Sequence, residues 1–298
     1  MKKIGFIGLG DMGIFMSRNL IRAGYSVKGF DVSEERMKQF QQNGGIVCKT
    51  NAQVGTDIDV AIIMVVTAQQ VETVLFGENG LMEKMRPGSR VIIAATIGDK
   101  PMMELAERAA AKDVQIIDCA VTGGQIGAEA GSLAMMIAAP KADFEACRDI
   151  FDVLGKTIVY VGERPGMGQT VKNCNGVMSA LSTVAVCEAM ALGAKAGVDP
   201  KIVAEVLGNG SCGSPLFRNY AEKIISRKFS GGGVQLKLLY KDTNLVMEMA
   251  TRLGIPLYGT SVCNEVIHAA MARFPGEDCW SPVKLYEEIT GVPVESEE

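Results

Sequence analysis

At 298 residues the chain is long enough for two domains with separate cores, and 48% apolar against 21% charged residues is a globular balance rather than a disordered one. A formal net charge of −4 argues against nucleic acid or an anionic membrane as main partner, while an acidic substrate could still be held by local cations. No stretch approaches about 18 apolar residues, and Met1-Lys2-Lys3 leads straight into an apolar run, so neither a membrane span nor a signal peptide is expected.

The first apolar run, 3–8, ends in Gly8-Leu-Gly-Asp-Met-Gly13, the strand, glycine turn and helix start of a dinucleotide-binding βαβ unit. Gly8 permits the sharp turn, Gly10 keeps side chains clear of a pyrophosphate, and Gly13 lets the helix at 11–23 pack tightly on the sheet. With Asp11 and Met12 these glycines form the expected cofactor-binding turn, the first helix amides facing the phosphates. The next run, 26–31, ends in Asp31, 18 residues beyond Gly13 and placed to accept from the ribose hydroxyls. A 2′-phosphate would be repelled there, so NAD(H) is the expected cofactor.

After a helix at 34–43, Val60-Ala-Ile-Ile-Met-Val-Val66 and Arg90-Val-Ile-Ile-Ala-Ala95 read as parallel strands buried on both faces. Further strands at 114–118, 132–138 and 157–161 alternate with helices at 68–75, 99–112 and 141–154. This alternation predicts an α/β fold, a Rossmann-type doubly wound parallel sheet over residues 1–162. The Pro/Gly joint Gly162-Glu-Arg-Pro-Gly-Met-Gly168 then opens an all-α C-terminal domain, 163–298, for substrate binding and oligomerisation. Its connecting helix, 169–197, is apolar most of the way round and so must be buried on several sides. Later helices are expected at 200–208, 215–225, 234–253, 259–273 and 282–290, and the charged end from Val294 to Glu298 as a frayed tail. The apolar connecting helix and its methionine-rich surroundings predict a homodimer or homotetramer.

Eight cysteines without a CxxC pair, most inside apolar runs, read as free thiols in a reducing cytoplasm. His268 is the only histidine, which leaves no histidine metal cluster and no Ser-His-Asp triad; it lies remote from the motifs and is expected to be structural. No metal site is expected. A Rossmann domain with a helical partner suggests a dehydrogenase with its site in the cleft between them, so the acid/base must be a lysine, tyrosine or carboxylate. Lys172, at the start of the long helix just past the joint, is the candidate: helix dipole and burial would both disfavour its charged form. Asn175, three residues on, shares its helix face and could hold the substrate beside it. Past the strand 114–118, the loop Asp118-Cys-Ala-Val-Thr-Gly-Gly124 offers the Thr122 hydroxyl and the Gly123 and Gly124 amides to a substrate carboxylate. Val65 and Thr96 follow strands ending on the same side of the sheet, where the cofactor should lie. Lys241, spaced i, i+4 from Lys237, could reach the cofactor from the second domain.

These residues together resemble the β-hydroxyacid dehydrogenases, the family of 3-hydroxyisobutyrate, tartronate semialdehyde and 2-(hydroxymethyl)glutarate dehydrogenases, across almost the whole chain. The family's signatures are matched by Ile7-Gly-Leu-Gly-Asp-Met-Gly13, by Asp118 to Gly124 with Gly127-Ala and Gly131-Ser-Leu, by Gly168-Gln-Thr-Val-Lys-Asn-Cys-Asn-Gly176, and by Lys241-Asp-Thr243. The resemblance implies Lys172 as catalytic acid/base, Thr122 to Gly124 on the substrate carboxylate, and Thr96 and Lys241 beside the nicotinamide. The chain departs from the family pattern in four places: Thr122 stands for Ser, Ala120 for Pro, Ala94-Ala95 precede Thr96, and Gly176 replaces a second Asn. Gly176 is expected to enlarge the substrate pocket. Tyr286-Glu-Glu-Ile-Thr-Gly-Val292 resembles the hydroxymethylglutarate branch. The expected activity is NAD(H)-dependent interconversion of a small β-hydroxy acid and its semialdehyde or keto form. Two rivals are imine reduction on the same scaffold, whose enzymes carry Asp or Tyr where Lys172 stands, and a non-catalytic NAD-binding scaffold protein.

Overall fold

The computed structural model describes residues 1–231 and 233–296. They form two compact units, Met1–Lys172 and Asn173–Glu298, divided inside the long helix rather than at the Pro/Gly joint.

In the first unit, β1 (Lys3–Ile7), α1 (Gly13–Arg22), β2 (Ser26–Phe30), α2 (Glu34–Gln42), β3 (Ile46–Val47), α3 (Asn51–Gly55), β4 (Val60–Ile63), α4 (Ala68–Phe76), β5 (Arg90–Ile93) and α5 (Asp99–Ala110) come first. They are followed by β6 (Gln115–Thr122), α6 (Gly124–Ala130), β7 (Leu133–Ala138), α7 (Lys141–Ala146), α8 (Arg148–Leu154) and β8 (Gly155–Gly162). The strands make one eight-stranded sheet in the order β3-β2-β1-β4-β5-β6-β7-β8. Every neighbouring pair is parallel except β6 with β7. Alternate residues of one strand enter different cores: Val60 and Ile62 join the cluster around Phe6 and Leu20, whereas Ala61 and Ile63 join that around Val71 and Leu105. Burial on both faces is why these strands are continuously apolar. The expected doubly wound sheet is the fold.

Several elements differ from expectation. β6 runs on from 118 to Thr122 because its last residues pair with antiparallel β7, Asp118 opposite Ala138 and Thr122 opposite Ala134. The segment expected to hold substrate is therefore a strand end followed by a helix, not a loop. The expected helix 141–154 is broken at Cys147, whose φ of −108° and ψ of 6° end α7 and begin α8. The two-residue β3 and the short α3 carried no periodicity long enough to read. α3 nonetheless sits hard on β1: a Cβ on Gly5 would lie 2.6 Å from Val54 Cγ1.

The helix α9 (Met167–Lys195) begins in the first unit and continues into the second, which also holds α10 (Pro200–Asn209), α11 (Pro215–Ile225), α12 (Leu236–Leu253), α13 (Tyr258–Arg273) and α14 (Val283–Thr290). By length and composition alone α9 could cross a membrane. Its residues Val186, Cys187 and Met190 instead pack with Phe217, Trp280 and Val283, and Ala180 and Val184 with Leu236, Cys263 and Ile267. The helix is thus packed into both cores of the second unit, while its Met178 and Leu192 stay exposed, so burial is less complete than its composition predicts. The end of the chain departs from the frayed tail expected: Val294 is fully buried and its amide donates to Glu287 Oε1 at 2.7 Å. Glu297 and Glu298 lie outside the described residues.

Candidate active site

In the first unit the site is built at the carboxyl ends of β1, β2, β4, β5 and β6, the edge of a parallel sheet where ligands bind. The three glycines of the first turn are required for three different reasons. Gly8 has φ +89°, and a Cβ there would meet the Met64 carbonyl oxygen at 2.3 Å. A Cβ on Gly13 would lie 1.9 Å from the Gly8 carbonyl oxygen, so the helix start rests directly on the turn. Nothing lies within 4 Å of where a Gly10 Cβ would be, so packing does not demand glycine there and open space for a phosphate does. That space passes a simple test of fit for a dinucleotide.

Asp31 accepts from Leu9 N at 2.6 Å with one carboxylate oxygen and from Ser33 N at 2.8 Å with the other. These amides fix the carboxylate beside the glycine turn, and each oxygen keeps a second lone pair for a ribose hydroxyl. Ser33 also caps α2 by accepting from Arg36 N. The Arg36 guanidinium then reaches back to Asp11 in the turn, a contact between α2 and the turn that no sequence motif announced. Val65 and Thr96, both half-buried, follow β4 and β5 as expected.

Thr122 ends β6, and Gly123 and Gly124 follow with φ of +124° and +59°. Such backbone favours glycine, and it turns the chain sharply from the strand into α6. Lys172 stands in the second turn of α9 and its ammonium donates to the Val121 carbonyl oxygen at 2.8 Å. The structure therefore brings Lys172 to the residue beside Thr122, which the sequence had placed fifty positions away in a separate motif.

Asp118 and Gln169 lie within the sequence motifs, where neither residue type announces a role. Asp118 is fully buried and accepts from Gly166 N at 2.9 Å, from Gln169 N at 3.2 Å and from Gln169 Nε2 at 3.1 Å. Burial pushes its pKa up to about 6, against the pull of the Gln169, Gly166 and Gly168 amides. Gln169, also fully buried, accepts from Ile97 N and Gly98 N and donates to the Ala95 carbonyl oxygen. The signal was present: a lone carboxylate in the apolar run Ile116 to Val121 must find partners when buried.

Two expected residues belong to the second unit. Asn175, one turn past Lys172 on α9, donates weakly to Ser179 Oγ at 3.4 Å. Lys241 lies on α12, paired with Asp242 at 2.8 Å. Gly176 is corrected: it opens no extra pocket, because Val246 of α12 fills the space, its Cγ2 only 2.9 Å from where a Cβ would stand. An asparagine there would have to displace a buried valine. His268 stacks on the Tyr240 ring at 4.9 Å between centroids, a structural contact within the second unit.

Two family models divide the chain between them: the NAD-binding domain of 6-phosphogluconate dehydrogenase matches residues 3–162, and the NAD-binding domain of NADP-dependent 3-hydroxyisobutyrate dehydrogenase matches 166–286. A 2-(hydroxymethyl)glutarate dehydrogenase of Eubacterium barkeri is 32% identical, over 98% of this chain and 97% of its own. The chain belongs to the β-hydroxyacid dehydrogenase family. A 2-hydroxy-3-oxopropionate reductase of Escherichia coli is 35% identical over 91% of this chain and 92% of its own. The crystal structure of a 3-hydroxyisobutyrate dehydrogenase from Salmonella typhimurium superposes with a TM-score of 0.88 at 27% identity, covering 96% of this chain and 100% of that one. Imine reductases are more distant neighbours, at 15% to 19% identity and TM-scores of 0.60 to 0.65, a likeness of fold alone. This β-hydroxyacid dehydrogenase is thus an oxidoreductase that uses a nicotinamide dinucleotide.

Proposed function

We propose that this enzyme interconverts a small β-hydroxy acid and its semialdehyde with NAD(H), using Lys172 as acid/base. The observation that carries the reading is the Lys172 ammonium held at the end of β6, against the backbone beside Thr122. Gly8, Gly10, Asp11, Met12 and Gly13 would hold the pyrophosphate, Asp31 the ribose, and Val65, Thr96 and Lys241 the remainder of the dinucleotide. When bound, the nicotinamide exchanges hydride with the carbinol carbon of the substrate. The Thr122 hydroxyl and the Gly123 and Gly124 amides would anchor the substrate carboxylate, and Asn175 would orient the hydroxyl.

In reduction the Lys172 ammonium donates a proton to the oxygen that gains negative charge, where a fixed cation stabilises most. In oxidation the neutral amine takes the hydroxyl proton. A lysine at 172 favours this chemistry over imine reduction, since protonation of an alkoxide calls for a cation at that oxygen. The same lysine, with the glycine turn intact, disfavours a scaffold without turnover. The eight free thiols fit a reducing, cytoplasmic setting.

Three outcomes test the reading. Lys172→Ala should fold and bind NADH yet lose about 10²- to 10⁴-fold in turnover across serine-, threonate-, isobutyrate- and glutarate-type hydroxy acids. A variant keeping more than about a tenth of the rate would remove lysine from the chemistry. Asp31 should give kcat/KM in favour of NAD over NADP, and Asp31→Ser should erode that preference; a wild-type enzyme that prefers NADP would contradict the ribose assignment. The exposed apolar side chains Leu192, Ile202, Val206, Tyr258 and Val262 of the second unit suit burial by another copy of the chain. Sedimentation at micromolar concentration should give a dimer or tetramer, and a monomer would refute this.

A further inference from the structure

The first turn of α9 is held by two buried side chains that the proposed chemistry leaves without a task. Asp118 lies where β6 parts from β5: it is the last β6 residue paired with that strand, opposite Ile93, and the first paired with β7, opposite Ala138. Its carboxylate receives the Gly166 and Gln169 amides, which open α9, and the Gln169 side-chain amide. Gln169 carries the linkage onward to Ile97 N at 2.9 Å and Gly98 N at 3.1 Å, in the segment that follows Thr96. Three segments with separate duties are joined by these two side chains: the strand that ends in Thr122, the turn after β5, and the helix that carries Lys172.

We infer that Asp118 and Gln169 are positioning residues, which set where the Lys172 ammonium stands by clamping the first turn of α9 to β5 and β6. The inference rests on the reading of Lys172 as acid/base for its consequence in turnover, though not for its geometry. Gln169 precedes Lys172 by three residues, so both project from the same helix face. A shift in the anchored turn is transmitted through less than one further turn of helix to the lysine. The fit leaves little slack, since a Cβ on Gly168 would lie 2.7 Å from both Asp118 Oδ1 and the Met136 carbonyl oxygen. Gly166, at φ +94°, takes a left-handed backbone to aim its N–H at the carboxylate. The Lys172 contact with the Val121 carbonyl oxygen then falls three residues along the strand that holds Asp118.

Competitive acetylation of the folded full-length protein, read lysine by lysine by peptide mass spectrometry, tests this without needing the substrate. In the wild type, Lys172 should react more slowly than the exposed Lys38 and Lys141. In Asp118→Asn and in Gln169→Met, each checked for a cooperative melt, Lys172 should become several-fold more reactive while Lys38 and Lys141 are unmoved. In the hydroxy-acid assay the same variants should lose about 10²-fold in kcat, as a displacement of an ångström costs, with substrate KM little changed. Unchanged Lys172 reactivity in a folded variant of either kind overturns the inference. Lys172→Ala separates the two ideas: if that variant retains turnover, the acid/base reading fails whatever the labelling shows.

Discussion

The fully buried Asp118 carboxylate, where β6 parts from β5, ties the first turn of α9 to the edge of the sheet. Desolvating Asp118 is costly, and burial pushes its pKa up to about 6. What offsets it is a set of amide donors supplied by the turn that opens α9 and by Gln169. Those donors are themselves orphans of a helix start, so one carboxylate satisfies both problems at once. The arrangement also explains the glycine at 168. A side chain there would collide with the Asp118 carboxylate itself, its Cβ 2.7 Å from Oδ1.

The chemistry follows from what the sheet edge can and cannot supply. Parallel strands end together, and the turns that follow them can present backbone amides. The glycine turn after β1 and the glycine pair after β6 are two such places, suited to a pyrophosphate and to a carboxylate. The proposed proton carrier comes from elsewhere. With a single histidine stacked on Tyr240, α9 delivers a lysine to the end of β6 instead. Membership of the β-hydroxyacid dehydrogenase family accords with this division, one family model matching residues 3–162 and the other 166–286.

Much of this was legible in the residues because it is local. The turn from Gly8 to Gly13 and the acid at 31 fall within one βαβ unit, and the apolar strands 60–66 and 90–95 betray burial on both faces. Non-local pairing was not legible. β6 reaches Thr122 only because β7 lies antiparallel beside it, and no property of residues 119–122 alone says so. Gly176 read as extra room because Val246, the residue that fills it, is seventy positions away on another helix. Asp118 and Gln169 lie in separate motifs, and neither motif names the other. Val294 read as part of a charged tail, yet it is buried through contacts with α14. In each case the missing term was a partner distant in sequence.

The account turns on where one amine stands when substrate is bound. A crystal structure of the enzyme with NAD and an unreactive hydroxy-acid analogue measures it directly. The account predicts the Lys172 nitrogen about 2.6–3.2 Å from the analogue's hydroxyl oxygen, with the analogue's carboxylate on the Thr122, Gly123 and Gly124 segment. A hydroxyl contacted by a different side chain, with the Lys172 nitrogen beyond hydrogen-bond distance of it, would contradict it.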